Sequence, residues 1–232
     1  MQLERDLLYN TFMGKIKEIL NKLFDFIYKK KCYFCNKSIE CVKMCSNCYN
    51  ELTHNDLKAD REILGVKIYS AGVYEKNLQK MIRGIKYHKQ KELAYYMAKF
   101  MWEYFSDIMT SQNMEQTFQV VPIPLHKKRQ KQRGYNHMEL VATEFCNLSG
   151  FEPNYSLVKR IKPTKPQYKL PYSKKMENLK GAFLADKTKL IDKPVLIIDD
   201  ICTSGATFTS IIKELQSKGI TDITCLAASC PQ

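Results

Sequence analysis

The sequence predicts an α/β protein built on a parallel sheet, with a small cysteine-rich module ahead of it. From residue 118 onward, short apolar runs alternate with segments of helical periodicity, as in parallel strands joined by helices. Between residues 32 and 48 the chain carries two C-x-x-C pairs in a segment too short to form its own core. A length of 232 residues and a hydrophobic content of 44% are compatible with one ordinary domain and a small module. We place the module at 1–58 and the domain at 59–232.

The N-terminal segment, up to Ile27, has the periodicity of an amphipathic helix. Its apolar positions recur every three or four residues, at Leu8, Phe12, Ile16, Ile19, Leu23 and Ile27. Charged residues interrupt every apolar run, so we expect neither an export signal nor a membrane span. The stripe is expected to pack on the chain's own domain, ahead of membrane or partner docking. A cytoplasmic, reducing location follows, where cysteines serve as metal ligands or buried thiols.

A strand or hairpin pattern and then a helical pattern follow the module. Residues 66–75 alternate like a strand or hairpin, and residues 75–108 are helical in pattern. The polar run at 86–91 divides that stretch into two helices. Each helix has one apolar stripe and one polar face.

The remaining elements alternate between strands and helices. The predicted strands lie at 119–124, 195–199 and 222–228, and the predicted helices at 136–149 and 207–218, ended by Gly150 and Gly219. Residues 159–181 are polar, basic and proline-containing, which predicts one long mobile loop.

Positive charge is concentrated in one part of the chain. Lys and Arg number 37 against 24 Asp and Glu, a formal net charge of +13. Residues 120–190 hold 15 Lys or Arg against 5 Asp or Glu. A solvated basic surface would explain this, but the local excess favours a phosphorylated ligand or a polyanionic partner.

A ligand site is predicted where the strand at 195–199 ends. Asp199 and Asp200 close this apolar strand, and ligands of open parallel sheets bind outside the carboxyl ends of the strands. The turn that follows offers backbone N–H groups, hydroxyls and a helix N-terminus to a phosphate, from Thr203, Ser204, Gly205, Ala206 and Thr207. The two acids suit the vicinal hydroxyls of a ribose. The alternative, a helix cap without a ligand, does not explain two acids at the end of an apolar strand.

The chain resembles the ComF (competence protein F, ComFC) family of type I phosphoribosyltransferase-like proteins. The resemblance rests on VPIPLHKKRQKQRGYNHMELVA at 121–142, KRIKPTKPQYKL…KKMENLKGAF at 159–183, the string PVLIIDDICTSGAT at 194–207, and the N-terminal C-x-x-C pairs. It departs from the family pattern at His137, where Gln is usual, at Lys175, where Arg is usual, and at Cys202 and Ser204. Ser204 keeps the hydroxyl of the usual Thr, whereas the role of position 137 stays open.

The resemblance implies a type I phosphoribosyltransferase fold that binds phosphoribosyl pyrophosphate (PRPP), or a similar ribose 5-phosphate ligand, with Mg²⁺. The loop after the VPIP strand, with Arg129 and Arg133, is expected to approach the pyrophosphate. The basic loop is expected to close over the ligand and to supply the candidate catalytic residues Arg160, Lys165 and Gln167. Arginine and lysine there suit a polyphosphate. No dedicated acid or base stands out in the sequence.

The cysteine module predicts a structural zinc site. Cys32, Cys35, Cys45 and Cys48 form C-x₂-C-x₉-C-x₂-C, four thiolates on two tight turns. Cys41 competes as a ligand, because the linker is short. Basic and aromatic neighbours, Tyr33 and Phe34 among them, suit contact with nucleic acid. The four later cysteines, Cys146, Cys202, Cys225 and Cys230, are expected in the core.

Three functions from different classes stay open at this stage. The first is an enzyme that transfers phosphoribose to a base, an amine or a nucleic acid. The second, favoured by the family resemblance, is a PRPP-binding protein that handles imported single-stranded DNA in natural transformation, with that DNA and the DNA-uptake proteins as partners. The third is a regulator that senses PRPP without catalysis. The N-terminal module is expected to supply the hood that selects any acceptor.

Overall fold

A six-stranded, mostly parallel sheet organises the larger part of the protein. The computed structural model describes residues 30–40, 43–164 and 171–231, without the side chains of Tyr172 and Ser173. The chain divides into two units between Cys48 and Tyr49. The predicted N-terminal helix, Cys41, Lys165 and Gln167 lie outside the described residues.

The strands and helices follow one another in this order. The first half contains α1 (Ser46–Asn50), β1 (Arg61–Ile63), β2 (Val66–Val73), α2 (Lys76–Tyr87), α3 (Leu93–Ser111), β3 (Gln119–Pro122), α4 (Lys127–Arg133) and α5 (His137–Ser149). The second half contains β4 (Glu152–Pro153), β5 (Val158–Arg160), α6 (Tyr172–Leu179), β6 (Phe183–Ala185), a 3₁₀ turn (Lys187–Lys189), β7 (Val195–Ile201), α7 (Ala206–Ser217) and β8 (Ile223–Cys230).

The main sheet has the order β1-β2-β8-β7-β3-β4, and β5 pairs with β6 in a separate two-stranded sheet. Within the main sheet the β1–β2 pair is antiparallel and the other pairs are parallel. The predicted α/β class with a parallel sheet is therefore confirmed. A helix follows most of the parallel strands, as the alternation in the sequence predicted.

The sheet changes winding direction between β3 and β7. From β3 the chain crosses through α4 and α5 to β4 at the sheet edge, whereas from β7 it crosses through α7 to β8 on the other side. The carboxyl ends of β3 and β7 are adjacent, with Pro122 opposite Ile198. Such a switch point opens a crevice at the carboxyl ends of the strands.

The helix boundaries follow from local capping. The Asn136 side chain accepts a hydrogen bond from the Met138 N–H at 3.1 Å and so begins α5. Gly150, with φ of 75°, ends it in the left-handed conformation that glycine favours. The predicted bounds of this helix agree with the structure.

Three expectations need correction. The predicted loop at 159–181 contains the end of strand β5 and helix α6. Strand β7 continues through Asp199 and Asp200 to Ile201, so both acids belong to the strand. The break in the 75–108 region lies at 88–92, because Lys86 and Tyr87 complete the last turn of α2. In each case tertiary pairing or packing extends regular structure into residues of low apolar content.

Among the described residues, no helix combines the length and the apolar character that crossing a membrane requires.

Candidate functional site

Asp199 and Asp200 lie side by side in β7 and face opposite sides of the sheet. Successive strand residues alternate between faces, so Asp199 shares a face with Val195 and Ile197. Those two residues belong to the core that packs α7 and the β5–β6 pair. Asp200 faces the other way, toward α2 and α5. The two adjacent carboxylates therefore have separate surroundings.

Asp200 is enclosed in a buried network of charged and polar groups. Its Oδ2 atom lies 2.6 Å from Lys86 Nζ and is also in contact with His137 Nε2, and only 7% of its side chain is exposed. Burial would raise the pKa of Asp200, but Lys86 and His137 outweigh it and hold that pKa below its usual range. Burial likewise works to lower the pKa of Lys86, and the charge of Asp200 raises it overall. Asp200 and Lys86 therefore form a buried ion pair.

His137 joins Asp200 to Arg133 as a neutral imidazole. Its Nδ1 lies 2.7 Å from Arg133 Nη1. A guanidinium only donates hydrogen bonds and a carboxylate only accepts them. Nδ1 must therefore accept from Arg133, and Nε2–H must donate to Asp200. Burial lowers the pKa of His137 to about 4, more than the attraction of Asp200 raises it, which agrees with a neutral ring.

This geometry explains the departure at position 137. Glutamine, the usual residue of the ComF pattern, also offers one acceptor and one donor group on the same side chain. The position requires a neutral side chain that accepts from Arg133 and donates to Asp200. His137 and Gln both carry this combination of a donor and an acceptor.

Asp199 interacts electrostatically with Arg160. It is half-buried, and its Oδ1 accepts a hydrogen bond from the Asp200 backbone N–H at 2.8 Å. Burial and the adjacent Asp200 charge raise the pKa of Asp199. Lys86 and Arg160 oppose this rise. A carboxyl in this position gains from an added cation or from hydroxyl donors.

Arg160 and Arg129 converge at Thr164. Arg160 Nη2 donates to Thr164 Oγ1, and Arg129 Nη2 donates to the Thr164 carbonyl at 3.4 Å. The Arg160 guanidinium lies 5.3 Å from the Phe183 ring centroid, and its buried Nε has no hydrogen-bond partner among the described residues. Burial and the nearby Arg129 lower the pKa of Arg160 to about 10. Two cations held together in this way favour an anion between them.

Residues of strand β1 contact the turn at residues 203–207 and constrain its conformation. Gly205 has φ of 72°, and a Cβ there would lie 2.6 Å from Ile63 Cδ1, so the turn requires glycine. Arg61 Nη1 donates to the Thr203 carbonyl at 3.1 Å. The Ser204 hydroxyl accepts from the Ala206 N–H at 3.4 Å. The turn opens helix α7, so backbone N–H groups and a helix N-terminus meet there.

The structure brings most of the sequence-predicted residues to one end of the sheet. Arg133 is linked to Asp200 through His137, and Arg160 interacts electrostatically with Asp199. Arg129 meets Arg160 at Thr164, whereas Lys131 is exposed. Sequence reasoning missed Lys86 and Arg61. Lys86 ends an apolar stripe on α2, and Arg61 lies 142 residues from Thr203, so neither carries a local signal.

The four predicted cysteines form one cluster in the first unit. The Sγ atoms of Cys32, Cys35, Cys45 and Cys48 all lie within 4.8 Å of one another, and Cys35 Sγ lies 3.8 Å from Cys45 Sγ. Zn–S bonds of about 2.3 Å place tetrahedral sulfur atoms about 3.8 Å apart. The Cys45 N–H points to Cys32 Sγ at 3.5 Å, which supports a thiolate there. This four-cysteine cluster fits a zinc module.

The comparisons with known proteins agree with the ordered motifs. No family model matches the chain. It is 28% identical over 200 residues to "Competence protein F" of Haemophilus influenzae, covering 83% of this chain and 86% of that protein. It is 22% identical over 193 residues to "DNA utilization protein YhgH" of Salmonella typhimurium and of Salmonella typhi, covering 81% of this chain and 85% of each relative. These matches support the resemblance of the chain to the ComF family.

Proposed function

We propose that the protein binds PRPP, as its Mg²⁺ complex, in the crevice between the carboxyl ends of β3 and β7, and that it serves the use of imported DNA. The observation that carries the proposal is the meeting of Arg129 and Arg160 at Thr164, with Arg160 in electrostatic interaction with Asp199, which lies shortly before the turn at 203–207. A phosphorylated ribose with a second phosphate group needs each of these three parts. The DNA role rests on the names of two relatives, "Competence protein F" and "DNA utilization protein YhgH".

Each part of the crevice has one task in this proposal. The N–H groups and hydroxyls of Thr203, Ser204 and Thr207 hold the 5′-phosphate at the N-terminus of α7. Asp199 accepts hydrogen bonds from the ribose hydroxyls. Arg129 and Arg160 neutralise the pyrophosphate, and Gly205 and Ala206 keep the turn close to the phosphate.

Mg²⁺ suits this donor set because it binds pyrophosphate and ribose oxygens and retains several waters. When bound, it would neutralise charge on the pyrophosphate. Lys165 and Gln167 belong to the segment beside Thr164 and are proposed to close over the same phosphates. In this proposal, the basic residues of the segment at 159–181 bind the same ligand, PRPP.

Transfer of the ribose is a second candidate function, favoured by the Arg160 Nε atom that has no partner among the described residues. The bond between the anomeric carbon and pyrophosphate would break, and pyrophosphate would leave with the electron pair. Arg160 would then stabilise the charge that develops on the leaving group. An acceptor nitrogen or oxygen would form the new bond and release its proton.

Ligand-induced thermal stabilisation tests the binding proposal. PRPP with Mg²⁺ is expected to raise the unfolding temperature, because a ligand at 100 times its Kd adds about 2.7 kcal/mol of stability. Asp199→Asn is expected to abolish this rise. Asp186→Asn, at a half-buried acid that caps the 3₁₀ turn, is the matched control and should keep it. An equal rise in the Asp199→Asn protein would place the ligand elsewhere.

Genetic complementation tests the DNA role. Expression of this chain in a Haemophilus influenzae strain that lacks competence protein F is expected to restore uptake-dependent transformation, and the Asp199→Asn chain is expected to fail. Full restoration by Asp199→Asn would separate the DNA role from the crevice.

We also propose that the cysteine cluster holds one structural zinc ion. Metal analysis of purified protein is expected to give one zinc per chain, lost on Cys45→Ser and retained on Cys41→Ser. Cys202→Ser, a buried cysteine of β7's turn, is the control for loss of a thiol. If zinc is retained in Cys45→Ser but lost in Cys41→Ser, Cys41 replaces Cys45 as the zinc ligand.

A further inference from the structure

Tyr87 presents an exposed aromatic ring at the end of α2, directly after a residue of the buried network. The preceding Lys86 bonds to Asp200 at 2.6 Å, whereas Tyr87 is 59% exposed. One helical turn therefore anchors the crevice and also offers a ring to solvent. Single exposed aromatic residues are common, so exposure alone assigns nothing.

A chain of contacts joins the Tyr87 ring to Asp200. The Arg133 guanidinium lies 5.7 Å from the centroid of that ring. The same guanidinium donates to His137, and His137 donates to Asp200. The ring is therefore connected, through Arg133 and His137, to Asp200 at the carboxyl end of β7, where the proposed PRPP crevice lies.

Cations and a second tyrosine surround the same ring. Arg83 is exposed and lies one helical turn before Tyr87, so both point to the same face of α2. Tyr74 is half-buried and interacts electrostatically with Arg83, Lys86 and Tyr87. Lys86 is paired with Asp200, whereas Arg83 interacts with Tyr74 and Arg133 lies beside the Tyr87 ring.

Other exposed tyrosines have different surroundings. The Tyr155 hydroxyl bonds to Thr143 at 2.7 Å, and the Tyr95 ring packs edge-on against Tyr96 at 5.4 Å. The Tyr87 ring is instead associated with an arginine side chain. An aromatic face flanked by guanidinium groups suits a nucleobase, which stacks on the ring, and a neighbouring phosphate, which pairs with arginine.

We propose that Tyr87 stacks an unpaired nucleobase at the mouth of the crevice, with Arg83 and Arg133 holding the attached phosphate when the base belongs to a single strand. This inference rests on the proposed function, because it takes PRPP to be the ligand of the adjacent crevice. It adds a nucleobase as a second ligand beside that site. The base arrives either as part of single-stranded DNA or as a nucleoside, and both sources share the same stacking chemistry.

Fluorescence anisotropy with a labelled oligothymidylate tests the stacking. Tyr87→Ala is expected to weaken binding about 5- to 150-fold, the range for loss of one stacked base. Tyr87→Phe keeps the aromatic face and is expected to bind within about twofold of the wild type. Tyr155→Ala, which removes a similarly exposed tyrosine, should bind as the wild type does. Because Tyr87 is exposed, these variants should retain the native circular dichroism spectrum.

Competition by free nucleosides distinguishes the two sources. Displacement of the oligonucleotide by millimolar nucleoside in the wild type, and its loss in Tyr87→Ala, would assign a nucleoside site. Displacement by unlabelled oligonucleotide alone would assign a single strand. Equal oligonucleotide affinity of Tyr87→Ala and the wild type would overturn the proposal, as would equal losses in Tyr87→Phe and Tyr87→Ala.

The same variants separate this inference from the PRPP proposal. Tyr87→Ala should keep the PRPP-induced rise in unfolding temperature, and Asp199→Asn should keep oligonucleotide binding. Loss of stacking without loss of the PRPP response contradicts neither proposal. A missing PRPP response in the wild type contradicts the PRPP site and leaves the oligonucleotide comparison readable.

Discussion

The two sides of the carboxyl end of β7 differ in how their charges are satisfied. On one side, Asp200 is bonded to Lys86 and His137, and Arg133 completes the network. On the other side, Asp199 interacts electrostatically with Arg160, which has Arg129 nearby, and the buried Arg160 Nε has no partner among the described residues. The Asp200 carboxylate is satisfied without a ligand, whereas we propose that the side of Asp199 binds one. In this proposal the two neighbouring aspartates have different roles, with Asp200 supporting the structure and Asp199 contacting the ligand.

The largest expected effect comes from breaking the completed side. Lys86→Met leaves the buried Asp200 carboxylate without its cation and is expected to cost about 3 kcal/mol of unfolding free energy. Urea denaturation followed by circular dichroism measures this loss. Lys213→Met, at an exposed position of α7, is the control and should change the free energy by less than about 0.5 kcal/mol. Equal small effects of both substitutions would show that the pair contributes little.

Exchanging each acid separately tests the contrast between the two sides. Asp200→Asn is expected to lose about 2 kcal/mol of unfolding free energy, because Lys86 then remains buried without a carboxylate. Asp199 has a raised pKa, so its ionised form costs stability as the pH rises through that pKa. Asp199→Asn should therefore be at least as stable as the wild type, with a larger gain at pH 8.5 than at pH 5. Urea denaturation at the two pH values checks both statements, and a loss at Asp199 equal to that at Asp200 would remove the contrast.

A smaller, pH-dependent effect is expected at His137. Burial lowers its pKa to about 4 from the ordinary value of 6.5, so the unfolded chain binds more protons between these values. Stability is therefore lost as the pH falls from 6.5 toward 4. His137→Gln keeps one donor and one acceptor and is expected to remove about 1–2 kcal/mol of this pH-dependent loss while remaining folded at pH 7. His88→Gln, at an exposed histidine, should keep the wild-type slope. A wild-type slope in His137→Gln would show that folding does not shift the pKa of His137.

Local sequence patterns predicted much of the sheet and of the turn that opens α7. Apolar runs marked β7 and β8, Asn136 and Gly150 marked the ends of α5, and small residues marked the turn, because these signals lie within a few residues of each feature. Strand β5 and helix α6 were missed within the predicted loop, since β5 has three residues and depends on pairing with β6. A three-residue strand has too little alternation to be recognised.

The sequence predicted only those parts of the candidate site that are continuous along the chain. The acids, the turn and the basic segments lie in continuous strings, whereas Lys86 reaches Asp200 because β2, β8 and β7 are neighbours in the sheet. Arg61 reaches Thr203 through the same long-range arrangement. The different roles of Asp199 and Asp200 also required the structure, because alternation in an isolated strand does not tell which face carries a buried cation.

Calorimetric titration with PRPP and Mg²⁺ tests the central claim most directly. It measures ligand binding at the proposed site on the Asp199 side of β7, and it does not depend on a change in protein stability. The wild type is expected to bind one PRPP per chain. Combined Arg129→Gln and Arg160→Gln should weaken binding about 100-fold or more, since two charge-assisted contacts are lost. Combined Lys187→Gln and Lys189→Gln removes the same charge from the exposed 3₁₀ turn and should bind within about twofold of the wild type. No binding by the wild type, or equal losses in the two double variants, would contradict a phosphorylated-ribose site at the carboxyl end of β7.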